Sequence, residues 1–485
     1  MSLEAFIAAN RFGLGARPGD VERIGANPKQ WLIAQIAPAQ QPNAADGAAF
    51  STGSEAVMAL AAYRRQRREM KASGDGQDVK AFFQKQRQVL IDEMAARFDL
   101  GFSTDRPFAE RLVWFWSNHF TISTQNAGTA SLAGAYEREA IRPRIAGKFE
   151  DILLAVATHP AMLVYLNNAQ SIGPNSTAGM VARRGLNENF GRELMELYSL
   201  GVDGGYGQGD VIALANLLTG WSVDAGGPEN MPENMGGGRL ARFIVARQSD
   251  DVVVEPGVSS GFRYYPARHE PGTFALRGRT YPEGFAGGRA AMRDLAHDPA
   301  TARFIAQKFA LHFIGDASPK PSVARLEKVF RDTGGDLKAL AVAAVEDPAA
   351  WTPGPGKMRN PVEYVTATYR ALNLPQAANA QRQTLGAMQA CRLIGQFPMA
   401  APSPKGWPDQ SQDWSGPDAV LARIAWARQL GSRLPHNFTN QQIAKLGDDI
   451  LGPRLAPATS QAIAAAADGG EALALLFSSA EFQRR

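Results

Sequence analysis

The groups that could do chemistry are concentrated between Arg184 and Asp210. This stretch holds Asn187, Glu188, Asn189, Arg192, Glu193 and Glu196, followed by Asp203 and Asp210 around a glycine-rich loop. At about 100° per residue, Leu186, Phe190, Leu194 and Leu197 form one apolar stripe of a helix over 186–200. Asn189, Glu193 and Glu196 form a second stripe, with Arg192 beside it. Two carboxylates one turn apart can divide acid and base roles, or ligate a hard cation. The same residues would also suit a structural ion-pair network. Glu193 falls at the border of the stripes, so it should be at least half buried and need a cation from another helix.

The loop Asp203-Gly204-Gly205-Tyr206-Gly207-Gln208-Gly209-Asp210 follows directly. Asp203 and Asp210 could ligate calcium or magnesium, although the spacing is not that of an EF-hand. The plainer reading is that a glycine ends one helix and Asp210 caps the next. His119, closing the aromatic run Trp114–Phe120, is a candidate base, or simply a histidine favoured by a helix C-terminus. His269, next to Glu270, is a second candidate if its segment lies over the acidic helix. Trp221 and Trp407 would give a stacking wall, with Asn189 and Arg192 as substrate-binding groups. His159, His297, His312 and His436 read as structural or surface residues.

What is missing also bounds the chemistry. There is no Gly-x-Ser-x-Gly elbow, P-loop lysine, His-Glu-x-x-His pair or dinucleotide fingerprint, so nucleotide chemistry is not expected. The single cysteine, Cys391, excludes a disulfide within the chain and cysteine-paired zinc sites. The six histidines are scattered, so neither zinc nor haem is expected. One hard divalent cation, calcium or magnesium, is the most the oxygen ligands suggest.

These residues must be positioned by a mainly α body. With 485 residues, 45% hydrophobic and 20% charged, the composition is that of a globular chain, and a net charge of +4 is mild at this length. Helical periodicity dominates, with strong segments near 55–72, 78–98, 105–120, 132–146, 148–158, 186–200, 210–219, 287–297, 299–314, 321–333, 336–347, 361–373, 378–395 and 417–432. Asp298-Pro299 and Asn360-Pro361 place a cap before a proline, and Gly416-Pro417 opens a further helix. Residues 222–285 differ. After the loop Gly226–Gly238 come short β-rich pieces at Ala241–Ala246, Asp251–Glu255, Phe262–Tyr265 and Phe274–Tyr281. The expected architecture is one large multi-helix body with a small antiparallel β-containing insertion. It divides into 1–221, the insertion or lid 222–285, and 286–485 packed on the first part. The basic run Arg64–Lys71 reads as a solvated face or acidic-partner surface, without a nucleic-acid motif. No apolar run is long enough to span a membrane. The N-terminus has no export signal as it stands. That favours a cytoplasmic location, with a periplasmic or exported one as the alternative.

Several ordered motifs together resemble one family. They include Asn10–Gly15, Trp114–Phe120, His159–Leu163, the asparagine–glutamate helix with Leu218–Trp221, His269–Gly272, Pro299–Arg303, Lys357–Glu363, Pro404–Pro408 and Ser479–Arg485. The chain resembles the bacterial domain of unknown function 1800 family over nearly its whole length. The resemblance brings no established activity with it. It implies that export signals are common among relatives. It also implies a possible partner from the domain of unknown function 1501 family, which is similar to sulfatases and alkaline phosphatases. Tyr198 stands where that resemblance leads one to expect a histidine, which argues against an imidazole-rich metal centre.

Two functions follow as expectations. One is an enzyme with a hydrolase-like acid–base or metal-assisted site for an envelope polymer or sugar-like substrate. It would use Glu193, Glu196, His119 and His269, with Asn189, Arg192, Trp221 and Trp407 binding substrate. The other is a non-catalytic partner or scaffold of the phosphatase- or sulfatase-like neighbour. A cavity with uncompensated charges favours the first, and a fully paired network without a cavity favours the second.

Overall fold

The computed structural model describes residues 2–44, 47, 49–73, 78–125, 128–182, 185–224, 255–354, 356–374, 380–434 and 438–485. Helices build the body around one hydrophobic core that runs from Ala5 to Phe482. The helices that frame the site are Asp78–Ser103 (α1), Pro107–His119 (α2), Asn189–Glu193 (α3), Gln208–Leu217 (α4), Pro299–Phe313 (α5) and Pro361–Leu372 (α6). Their starts follow local chemistry. The Asp298 side chain accepts the Ala300 N–H, with Pro299 opening α5. Asn360 and Glu363 form a reciprocal capping box ahead of α6.

α2 and α5 meet through rings. Phe115 lies 4.9 Å from Phe309, and Phe309 lies 4.8 Å from Phe313, measured between ring centroids. Such pairs add directional packing to plain burial. Arg111 of α2 pairs with Glu363 of α6, both almost completely buried. The Arg370 guanidinium, also in α6, donates to the carbonyls of Gly15, Gly101 and Phe102. The parts 1–221 and 286–485 therefore share both core and buried polar contacts.

Several helices differ from expectation. The helix foreseen over 186–200 is α3 followed directly by a π-helical turn, Leu194–Tyr198. Asn187 Oδ1 accepts the Asn189 N–H, a local bond that delays the helix start. At the other end Ser199 Oγ donates to Leu194 O at 2.6 Å and Gly201 N–H to Met195 O at 3.1 Å, so the last turn is widened. The helix foreseen over 132–146 is broken into α, π and 3-10 turns; the π turn stops at Ile141, ahead of Pro143, which has no N–H to continue it, and the 3-10 turn ends at Arg144. Helices at Leu3–Ile7, Asp20–Ile24, Pro28–Ile33 and Asn440–Leu451 were not foreseen; the first three are too short for a periodic signal, whereas the last carries the stripe Ile443, Leu446, Ile450 and a Thr439 cap.

Among the described residues the strands form two antiparallel pairs. Trp221–Val223 (β1) pairs with Phe262–Tyr264 (β2) in the register Trp221↔Tyr264. Phe274–Leu276 (β3) pairs with Arg279–Tyr281 (β4) across Arg277-Gly278, both at positive φ as a tight hairpin turn requires. The loop Gly226–Gly238 and the pieces at Ala241–Ala246 and 251–254 lie outside the described residues. The β3–β4 hairpin covers the loop after the acidic helix. Arg277 N–H donates to Asp210 Oδ1 at 2.7 Å, and its guanidinium to Gly204 O at 2.8 Å. No helix among the described residues is long and apolar enough to cross a membrane.

Candidate active site

A cavity of about 420 Å³ lies between α2, α5 and the segment 396–409. The α5 wall follows from helical spacing. Phe304, Lys308, Leu311 and His312 fall at i, i+4, i+7 and i+8, so all four face the same side. Lys308 Nζ sits 5.4 Å from the centre of the Phe304 ring. It makes no hydrogen bond or ion pair to the described residues. Burial lowers its pKa to about 8; the Lys405 charge acts in the same direction and Asp409 opposes both.

One turn further on, His312 Nδ1 lies 2.8 Å from Asp409 Oδ2. Burial lowers the imidazole pKa to about 4 despite that carboxylate, so the ring is neutral near pH 7. Nδ1–H donates to Asp409, and the buried Nε2 keeps its lone pair without a partner. Burial alone would raise the Asp409 carboxyl, but His312, Lys357 and Arg485 hold it well below the usual range. Lys357 Nζ is 3.2 Å from Asp409 Oδ1. Arg485 donates to His312 O at 2.8 Å and to Glu363 Oε2 at 3.1 Å, fixing α5 against α6.

The opposite wall is α2. His119, in its last turn, has Nε2 at 3.1 Å from Tyr198 O, while the buried Nδ1 has no partner. Burial pushes its pKa well down, with Lys308 adding to the effect. Asn118 clasps the third wall with two reciprocal bonds, donating to Trp407 O at 2.9 Å and accepting the Trp407 N–H at 2.8 Å. Gly406 lies beneath this clasp at φ +83°, where an added Cβ would sit 2.4 Å from Asn118 O. Only glycine fits there without moving the loop.

Of the residues singled out from sequence, His119, Glu196 and Trp407 line this cavity together. Glu193 does not. It is half-buried beside Tyr165 and Glu196, and its pKa is raised by burial and by the Glu196 charge, with Arg192 opposing. The expected cation from another helix is not there, and its carboxylate pairs with none of the described residues. Arg192 turns to Glu188 at 3.3 Å and Gln208 at 2.9 Å, and Asn189 is exposed.

His269 lies elsewhere, with both ring nitrogens committed to backbone. Nδ1 is 2.9 Å from Thr219 O, and Nε2 accepts the Gly284 N–H at 2.7 Å. Trp221 is core, packed against Phe285 and Phe262 at 4.9 and 5.5 Å between centroids. No described residue of 222–285 lines the cavity, so the hairpin covers the loop rather than the site. Asp203 is exposed, and Asp210 spends both oxygens on the N–H groups of Gly207 and Arg277. Among the described residues no group of three or more His, Cys, Asp or Glu is placed to hold a metal ion.

Lys308, His312 and Asp409 were not singled out from sequence. The signal available was a lysine and a histidine four apart on the inward stripe of α5, where a cation has no structural reason to sit.

The chain belongs to the family described as "Protein of unknown function (DUF1800)", which matches residues 7–484. No curated protein and no solved structure matches it.

Proposed function

We propose that the chain is an enzyme working by proton transfer on a small, sugar-like unit of an envelope polymer, and that the cavity between α2 and α5 is its site. The observation that supports this reading best is Lys308, which lines a cavity open to solvent, has no hydrogen-bonding or ionic partner among the described residues, and has its pKa lowered to about 8. Acid–base groups are most effective when their pKa lies near the working pH. His312, oriented by Asp409, supplies a neutral imidazole on the same helix face. Glu196 adds a carboxylate, and Trp407 an aromatic face. The volume suits one small-molecule unit, since such sites span roughly 300–1,000 Å³.

A metal-assisted route draws no support from the dispersed oxygens of Asp203 and Asp210. A scaffold for a domain of unknown function 1501 protein would not by itself call for a half-buried lysine facing a cavity with no carboxylate paired to it. The test compares the protein with its Lys308→Met variant on envelope-derived oligosaccharides, with products followed by mass spectrometry. Conversion should fall by about 100-fold or more in the variant, with the denaturation midpoint unchanged or raised. Equal conversion by both proteins would overturn the reading. No conversion by the unsubstituted protein would favour the scaffold.

A further inference from the structure

We propose that Lys308 is an amine nucleophile that forms an imine with a small carbonyl compound bearing an acidic group. This rests on the reading of the cavity as an active site and names the chemistry of its substrate. Three placements carry the inference. The Lys308 ammonium faces a cavity of about 420 Å³ and lies against the Phe304 ring, without a hydrogen-bonding or ionic partner among the described residues. A second cation, Lys405, lines the same cavity close enough to disfavour the charged amine. The neutral His312 and His119 line it too, each with one ring nitrogen unpartnered. A lysine desolvated in an apolar pocket beside another cation is the arrangement that frees an amine lone pair near neutral pH.

The step balances without a redox partner. The Nζ lone pair of neutral Lys308 adds to the carbonyl carbon, and the C=O π pair moves to oxygen. A proton passes from Nζ to that oxygen within the cavity. The carbinolamine then loses water as the C=N bond forms, so amine plus carbonyl gives imine plus water. Lys405, exposed at the rim, is placed to pair with the acidic group of the substrate.

Trapping with borohydride tests this. The intact chain is incubated with glyoxylate or pyruvate near pH 7.5, reduced, digested and mapped by peptide mass spectrometry. The expected result is a reduced adduct on Lys308 at least ten times more abundant than on any other lysine, absent without borohydride and absent from Lys308→Arg. Adducts spread evenly over the lysines, or none at Lys308, would overturn the proposal. Thermal shift with the same probes reports occupancy separately. Binding without an adduct removes the nucleophile but leaves the acid–base site standing. An adduct without turnover of oligosaccharides keeps the nucleophile and removes the proposed substrate.

Discussion

Two buried charge clusters flank α2, and they are built on opposite terms. In one, Arg142 donates to Glu110 at 2.7 and 2.8 Å and to Glu137 at 2.7 Å, while Arg97 Nε and Ser117 Oγ each reach Glu137 at 2.8 Å. Every carboxylate there has a cation. Burial would raise Glu137, yet Arg97 and Arg142 outweigh it and hold the pKa at about 2. In the other, Lys308 has no hydrogen-bonding or ionic partner among the described residues and meets only the Phe304 ring, and His312 and His119 each leave a ring nitrogen bare. The first cluster is fully paired and mainly holds helices together, although Arg97, Ser117 and Glu137 also line the cavity. The second leaves groups without a hydrogen-bonding partner around the cavity, a cost that structure alone does not require.

The contrast can be broken most forcefully at Arg142. Arg142→Met leaves Glu110 and Glu137 buried with too little positive charge, and should cost about 3–5 kcal/mol in chemical denaturation. A loss below about 1 kcal/mol would mean that the closed network is not holding the fold. Gly406→Ala comes next. A Cβ at φ +83° against Asn118 O should cost about 1–3 kcal/mol and loosen the Trp407 wall, seen as a red shift in tryptophan emission.

His312 sharpens the comparison through pH. Its pKa is lowered by burial to about 4, whereas the unfolded chain titrates near 6.5. Between about pH 6.5 and about 4 the unfolded state therefore binds more protons, and stability falls as pH falls. His312→Gln removes that component, so its denaturation midpoint should decline less over this window. Parallel curves for the two proteins would show that the ring is not held neutral. The smallest effect belongs to Glu193→Gln. With no cation to lose and a raised pKa to relieve, the variant should stay within about 0.5 kcal/mol of the parent. It should also keep activity, because Glu193 lies outside the cavity. A large drop in melting temperature would reveal an ion pair.

The helical body was legible because its signals are local. Asp298-Pro299 and Asn360-Pro361 open α5 and α6 as read, and Gly416-Pro417 opens Pro417–Arg433. The site was legible only in part. His119, Glu196 and Trp407 were found because they stand out by type. Lys308 and Asp409 were not, because their meaning depends on which residues the fold leaves unpaired. His269 shows the converse. It stands out in sequence, yet Thr219 and Gly284 occupy both of its nitrogens. No periodicity could reveal that, since these partners come from a turn and a loop.

The clasp between Asn118 and Trp407 joins positions 289 residues apart. Closing so long a loop is entropically unfavourable until the intervening helices have packed. The pocket is therefore a late product of folding rather than an early one. A nascent chain emerging from the ribosome carries Asn118 and His119 well before the segment that completes the wall. Its lysine amine accordingly meets small carbonyl metabolites as an ordinary solvated side chain, and gains its reactivity only when the molecule has finished assembling itself.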